Sequence, residues 1–348
     1  MEKFDLIIIG AGPAGATLAR LIKNKKVLVL HGGFKEKPCG GLLAPDAQKS
    51  LAKFDLTLPK HILVDPQIFS VRTMDLESGI QRWYQRMYIN MSRKKFDDWL
   101  IRLIHDEVQV LEATCTHINK NEVTYRMDGK NYTVCTDVIV GADGANSIVR
   151  KTFFKPLKTR KYMAIQQWFK CDIETARPFY SCIFDEKTSD CCSWSINKSG
   201  YLIFGGAFPF DRCRERFELQ KERLRKFDIH LNNPVKTEAC QVLRPSGPKS
   251  FALGKHFDSH SVYLIGEAGG FISPSSLEGF SSAFITATAL SDSLDKKNPL
   301  KSYKALTGKL KLQLIFKNIK CVFMYTPFLR KLLMKSGLDS IEVRKDLA

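Results

Sequence analysis

The sequence predicts an α/β fold with three parts: a discontinuous Rossmann-like nucleotide domain, a second domain on a mixed β-sheet, and a C-terminal helical segment. Three observations carry this. An apolar run from Phe4 to Ile9 enters Gly10-Ala11-Gly12-Pro13-Ala14-Gly15 and then a helical stretch to Asn24. Two later strand-like runs also end in glycine clusters, Thr136 to Val140 before Gly141-Ala142-Asp143-Gly144 and Ser261 to Ile265 before Gly266-Glu267-Ala268-Gly269-Gly270-Phe271. The stretches between alternate as strands do, at 66–90, 161–171, 179–185, 191–196 and 201–209. Nucleotide motifs spread in this way imply one domain assembled from separate pieces. The expected division is 1–60, 91–158 and 245–298 for the nucleotide domain, 61–90 and 159–244 for a substrate-binding sheet, and 299–348 for basic C-terminal helices.

The opening motif stands between a strand and a helix, the setting a dinucleotide fingerprint requires. Gly10 permits the tight turn, Gly12 lets backbone approach a pyrophosphate, and Gly15 allows helix to pack on strand, while free N–H groups at the helix start face the anion. The second strand, Val27 to Leu30, ends at His31, where an Asp or Glu ordinarily accepts the ribose hydroxyls. An imidazole can still donate or accept, and Glu36 is near in sequence, so one contact is weakened rather than the site lost. Arg93 to His105 reads as an amphipathic helix and Asp211 to Phe227 as a charged surface helix. From Tyr162 to Phe210 aromatics fill 11 of 49 positions, twice the chain average of 11%. That composition suits a large apolar substrate pocket or an aromatic sheet core. Trp168, Trp194, Tyr201, Phe204, Phe208 and Pro209 are the pocket candidates.

With 348 residues the chain is long enough for two cores. Glu2 and Asp5 exclude a basic secretory leader, and no run reaches the ~20 apolar residues of a membrane span. Ten cysteines without a CxxC pair argue against a zinc knuckle or a disulfide framework, so no metal site and a cytoplasmic location are expected. The formal charge of +18 calls for an anionic partner. Between Lys296 and Leu338 there is no Asp or Glu, while lysines alternate with Leu306, Leu310, Leu314, Phe316, Ile319, Val322, Phe323 and Phe328. A basic, strongly apolar helix suits an anionic membrane surface, with peripheral attachment at the inner face of the cell membrane. The bland alternative is a solvated helix packed on the body. Nucleic acid is not expected as a partner, since no recognised binding motif accompanies the charge.

Taken in order and spacing, the three glycine motifs resemble those of flavoprotein monooxygenase-type enzymes, which bind FAD. Within them Lys37-Pro38-Cys39-Gly40-Gly41-Leu42-Leu43 and Ile272-Ser273-Pro274-Ser275-Ser276-Leu277-Glu278-Gly279 are similar to segments of geranylgeranyl reductases. The stretches Pro38 to Gln48, Ala164 to Phe169 and Phe179 to Asp185 resemble a group of enterobacterial flavoproteins associated with colicin M resistance. The resemblance implies FAD as cofactor. It implies that Gly10, Gly12, Pro13, Ala14 and Gly15 serve the pyrophosphate, that His31 lies by the adenosine, and that Arg93 approaches the cofactor from its helix start. Asp143 and Gly144 would support the second motif. Gly266, Glu267, Gly270 and Phe271 would form the third, with Glu267 reaching the flavin-side ribose where the family usually has Asp. Gly40 and Gly41 would bring Cys39 near the flavin ring.

Reducing an isolated isoprenoid double bond requires a hydride and, nearly together with it, a proton. A thiol is protonated at neutral pH, which makes Cys39 the candidate donor; the alternative is a small filler beside the ring. Three readings follow. The first is a FAD-dependent oxidoreductase reducing a polyprenyl or other lipid-like substrate, with electrons from a reduced nicotinamide, ferredoxin or quinol. The second is an aromatic monooxygenase acting on an aromatic small molecule. The third is a non-catalytic, flavin-bearing protein that sequesters a lipid at the membrane. A halogenase is disfavoured because Ser193-Trp194-Ser195-Ile196 is followed by Asn197 rather than proline.

Overall fold

The strand Lys3–Ile9 sits inside a parallel sheet, and its sequence explains why. Ile7, Ile8 and Ile9 are all buried, as are Val27 to Leu30 of the next strand. Continuous apolar runs of this kind mark strands covered on both faces. The computed structural model describes residues 1–33, 38–172 and 177–341; Glu36 and Lys37 lie outside them.

The described chain forms two compact units. The first comprises Met1–Glu36, Lys94–Arg160 and Leu243–Phe316. Its sheet runs Gly254–His256, Ser261–Leu264, Lys130–Gly141, Lys3–Ile9, Val27–His31, Gln109–Glu112. All neighbours after the first pair are parallel, so Gly10, His31, Ala142 and Ile265 emerge at one edge. The long strand Lys130–Gly141 serves twice. Its beginning pairs antiparallel with Glu122–Met127, and its end lies between Lys3–Ile9 and Ser261–Leu264. Helix Pro13–Leu21 buries Ala14, Gly15, Ala16 and Ala19 and packs against helix Phe280–Leu294, itself rich in small residues.

The second unit comprises Lys37–Arg93, Lys161–Val242 and Lys317–Ala348. Its mixed sheet has the order Lys236–Pro245, Thr159–Lys170, Tyr201–Pro209, Ser193–Lys198, Phe179–Phe184, Ile68–Asp75, Gln81–Asn90, Leu42–Leu43. One face packs Ile165, Phe169, Ile183, Phe204 and Phe208 against Phe217 and Leu224 of helix Cys213–Leu224. Phe204 and Phe208 are fully buried there. They are therefore core and not pocket, a correction that follows from the period of two: even positions of their strand face the helix, while Tyr201 faces the other way.

Two boundaries differ from expectation. Residues 37–60 group with the second unit because Leu42 and Leu43 pair with Asn90 and Ile89 of its edge strand. Residues 299–341, the described part of the expected C-terminal segment, do not stand apart. The part of helix Pro299–Tyr325 up to Phe316 belongs to the first unit, where the Tyr303 hydroxyl donates to the Leu264 carbonyl at 2.9 Å. In the second unit Arg330 of helix Pro327–Ser336 makes a buried ion pair with Asp75 at 2.8 Å.

Helix Pro299–Tyr325 has two unlike faces. Tyr303, Thr307, Leu310, Leu314 and Cys321 form a buried line. Opposite it, Leu312, Phe316, Ile319 and Phe323 are 57%, 63%, 57% and 48% exposed. Their spacing of four, three and four residues keeps them on one stripe. At 100° per residue Lys304 and Lys311 flank the stripe on one side, Lys309 and Lys320 on the other. No helix among the described residues is long and apolar enough to cross a membrane.

Candidate functional site

The three glycines of the first motif meet three different surroundings. Gly10 has φ +104°, and a Cβ there would lie 2.5 Å from the Ala142 carbonyl oxygen, so the turn is closed against the second motif. A Cβ on Gly15 would run into the Gly10 carbonyl, so helix and turn pack through bare backbone. At Gly12 a Cβ would meet nothing within 4 Å. Gly12 also caps helix Pro13–Leu21, whose first turn holds no acidic residue, so its unshared N–H groups open onto that space. Ala14 packs beside Gly266 of the third motif. An open backbone cradle at a helix N-terminus, on the carboxyl edge of a parallel sheet, fits a dinucleotide pyrophosphate. Gly10, Gly12, Pro13 and the Ala14 and Gly15 amides are the residues that would hold it.

The second and third motifs bind one another. The Asp143 carboxylate accepts from the Ile148 N–H at 2.6 Å, and its other oxygen is buried with no hydrogen-bond partner among the described residues. Burial raises its pKa, while Ser147 and the Ile148 and Val149 amides restrain the rise. Gly144 opens the short turn that follows. Arg150, which the sequence reading did not single out, donates to the carbonyls of Ala145 and Ala268, the latter at 2.7 Å. Burial lowers its pKa, and Asp143 and Glu267 oppose the shift. A basic side chain beside a glycine motif was its signal, but only its burial marks it as a clamp.

Glu267 accepts from the Leu243 N–H at 3.0 Å, so its longer side chain is engaged by backbone. Phe271 needs correction. Its ring is fully buried in a cluster with Phe251, Leu310 and Leu314, so it holds the motif from below and presents no side chain to a ligand. A Cβ at Gly270 would strike the Ser250 carbonyl, which makes that glycine a packing requirement as well. His31 ends its strand half-buried; burial lowers its imidazole pKa and Glu112, in register beside it, pulls the other way.

In the second unit Cys39, Gly40 and Gly41 precede the strand Leu42–Leu43. The Gly41 N–H donates to Cys39 Sγ at 3.4 Å, and Gly41 has φ +63°. Beneath it lies Lys198, buried, whose ammonium donates to the carbonyls of Met91 at 2.5 Å and Gly41 at 3.3 Å. No carboxylate partners it among the described residues. Burial pushes its pKa down to about 7, and Cys39 acts to raise it. Gly40 lies against Ile196 and Trp194. From there a polar chain crosses the sheet face. Trp194 Nε1 donates to Gln166 at 3.3 Å, Gln166 to Glu238 at 3.2 Å, and Trp168 Nε1 to the same Glu238 oxygen at 2.8 Å. Tyr201 meets Trp168 edge-on at 5.9 Å. Trp168, Trp194 and Tyr201 thus share one face, with Pro209 at the far end of the strand, and Phe204 and Phe208 lie on the opposite one. Arg93 begins helix Arg93–Arg102. Among the described residues no cluster of His, Cys, Asp and Glu could hold a metal.

Comparison with known proteins bears on the family and the fold. The family model described as "Lycopene cyclase protein" matches residues 5–309. Protein CbrA of Escherichia coli O6:H1 is 46% identical over 362 aligned residues, covering 99% of this chain and 97% of that protein. Among solved structures, a geranylgeranyl bacteriochlorophyll reductase-like protein from Thermoplasma acidophilum superposes with a TM-score of 0.77 at 17% identity, over 95% of this chain and 91% of that one. PqsL of Pseudomonas aeruginosa, described as a probable FAD-dependent monooxygenase, gives 0.70 at 17% identity, over 97% and 100%. Those two show the fold, one shared by reductase-like and monooxygenase flavoproteins. The chain belongs to the lycopene cyclase protein family, as a full-length relative of Protein CbrA.

Proposed function

We propose that the protein is a FAD-dependent oxidoreductase that reduces double bonds of a polyprenyl or similar lipid taken from an anionic membrane surface. The open space at Gly12 carries the cofactor assignment: it is the one glycine of its motif that protein does not fill. The lipid assignment is supported by the exposed stripe Leu312, Phe316, Ile319 and Phe323 between lysines, a form suited to an interface between acyl chains and anionic headgroups.

FAD held at Gly12 and the Ala14 and Gly15 amides would supply hydride chemistry, with a reduced nicotinamide, ferredoxin or quinol as the source of electrons. The chain's own residues do the rest. Lys198 fixes the Gly41 carbonyl and so orients the segment carrying Cys39. Cys39 Sγ gives its proton to the alkene carbon that does not receive the hydride, and the Lys198 ammonium stabilises the thiolate left behind. The face of Trp168, Trp194 and Tyr201 supplies apolar surface for the substrate. Extraction and mass spectrometry of lipids from cells with and without the protein tests this. Species shifted by two hydrogens are expected. A shift of one oxygen would select the monooxygenase reading, and no shift with tight lipid binding a non-catalytic one.

A further inference from the structure

The strand end that ordinarily supplies a ribose-binding carboxylate carries His31 here, followed by Gly32 and Gly33. The neighbouring parallel strand brings a carboxylate to the same place. Glu112 is in register with His31, and the Ala113 N–H donates to the His31 carbonyl at 2.8 Å, so both residues leave the sheet at its carboxyl edge together. Ligands of such sheets bind along that edge. Gly33 has φ +80°, and a Cβ on it would lie 3.0 Å from Glu112 Oε1, so the carboxylate reaches across the turn after His31. A side chain at Gly33 would occupy its path. Glu112 is exposed, and its charge acts on the His31 imidazole beside it.

We infer that Glu112 accepts the hydrogen bonds of the adenosine ribose of FAD, replacing from the adjacent strand the carboxylate that position 31 lacks. The inference rests on the FAD reading. An exposed carboxylate at the end of a strand, reaching over Gly33, has the acceptor chemistry a ribose diol requires. His31 beside it then serves as a neighbour that limits where the carboxylate points.

The test is titration of FAD into flavin-stripped full-length protein, read by quenching of flavin fluorescence. A hydrogen bond to a charged group is worth about 1.5–3 kcal/mol, so Glu112→Gln should weaken FAD roughly 10- to 100-fold. Adding His31→Asp to Glu112→Gln should recover at least about ten-fold, because it returns a carboxylate to the ordinary position. Unchanged affinity in Glu112→Gln would overturn the inference while leaving FAD binding intact. So would a loss that His31→Asp does not recover, which would make Glu112 a support of the Gly32–Gly33 turn. Failure of the unaltered protein to bind FAD would instead overturn the cofactor reading.

Discussion

A methyl group added at Gly12 enters open space, whereas one added at Gly15 enters a carbonyl group. Gly12→Val should therefore give soluble, folded protein that is colourless after purification, with flavin absorbance per protein as the measure. Gly15→Ala should lose at least about 1–3 kcal/mol of stability through overpacking, read from the urea midpoint. Lys198 makes a different kind of prediction. Its pKa falls from 10.5 to about 7 on folding, so between those values the unfolded chain binds a proton that the folded chain does not. Stability must then rise with pH across that window, by about 1.4 kcal/mol per unit at most, and fall as pH drops toward 7. Lys198→Met should lack this rise, which urea unfolding of both proteins from pH 7 to 10 would reveal. Cys39→Ala should retain flavin and lower substrate reduction by roughly 10²–10⁴-fold; unchanged turnover would make Cys39 a filler. The glycines were legible in sequence because each stands in a motif directly after an apolar strand. Lys198 was not, since its burial depends on carbonyls 107 and 157 residues away.

At the scale of elements, helix Pro299–Tyr325 shows where periodicity fails. Its charge and apolar content were plain, but apolar residues lie on both its faces, so no single stripe could be read as the buried one. Packing decides it: the Tyr303, Leu310 and Leu314 line is covered and the Leu312, Phe316, Ile319 line is not. Each lysine near an anionic surface is worth about 1 kcal/mol at low salt. Replacing Lys309, Lys311, Lys317 and Lys320 by Gln should therefore weaken co-sedimentation with anionic liposomes roughly 10- to 1000-fold while flavin content stays constant. Phe316→Ser with Ile319→Ser should weaken the binding that remains in high salt. Unaltered protein that ignores anionic liposomes at low salt would remove the membrane from the proposal. The aromatic strand Tyr201–Pro209 carries a similar lesson. Its composition announced a pocket or a core, and alternation divides its aromatics, with Phe204 and Phe208 in the core on one face and Tyr201 against Trp168 on the other.

At the scale of the molecule, the α/β fold class and the edge where three motifs meet were readable, because each motif follows an apolar strand in a parallel sheet. The grouping of 37–60 was not, since it turns on a two-residue strand that gains meaning only from its partner. The first unit's three stretches of chain have a consequence for its synthesis. The outer edge of strand Lys130–Gly141 awaits Ser261–Leu264, and 120 residues separate Gly141 from Ser261. Most of the second sheet is translated in that interval. At ~5–20 residues per second the nascent edge stays bare for roughly 6–24 s, a window in which it can pair with the wrong strand. Glu267 and its neighbours are made later still, so in the FAD reading the third motif joins the sheet edge only after that window, and flavin supply would act on a late step of maturation rather than an early one.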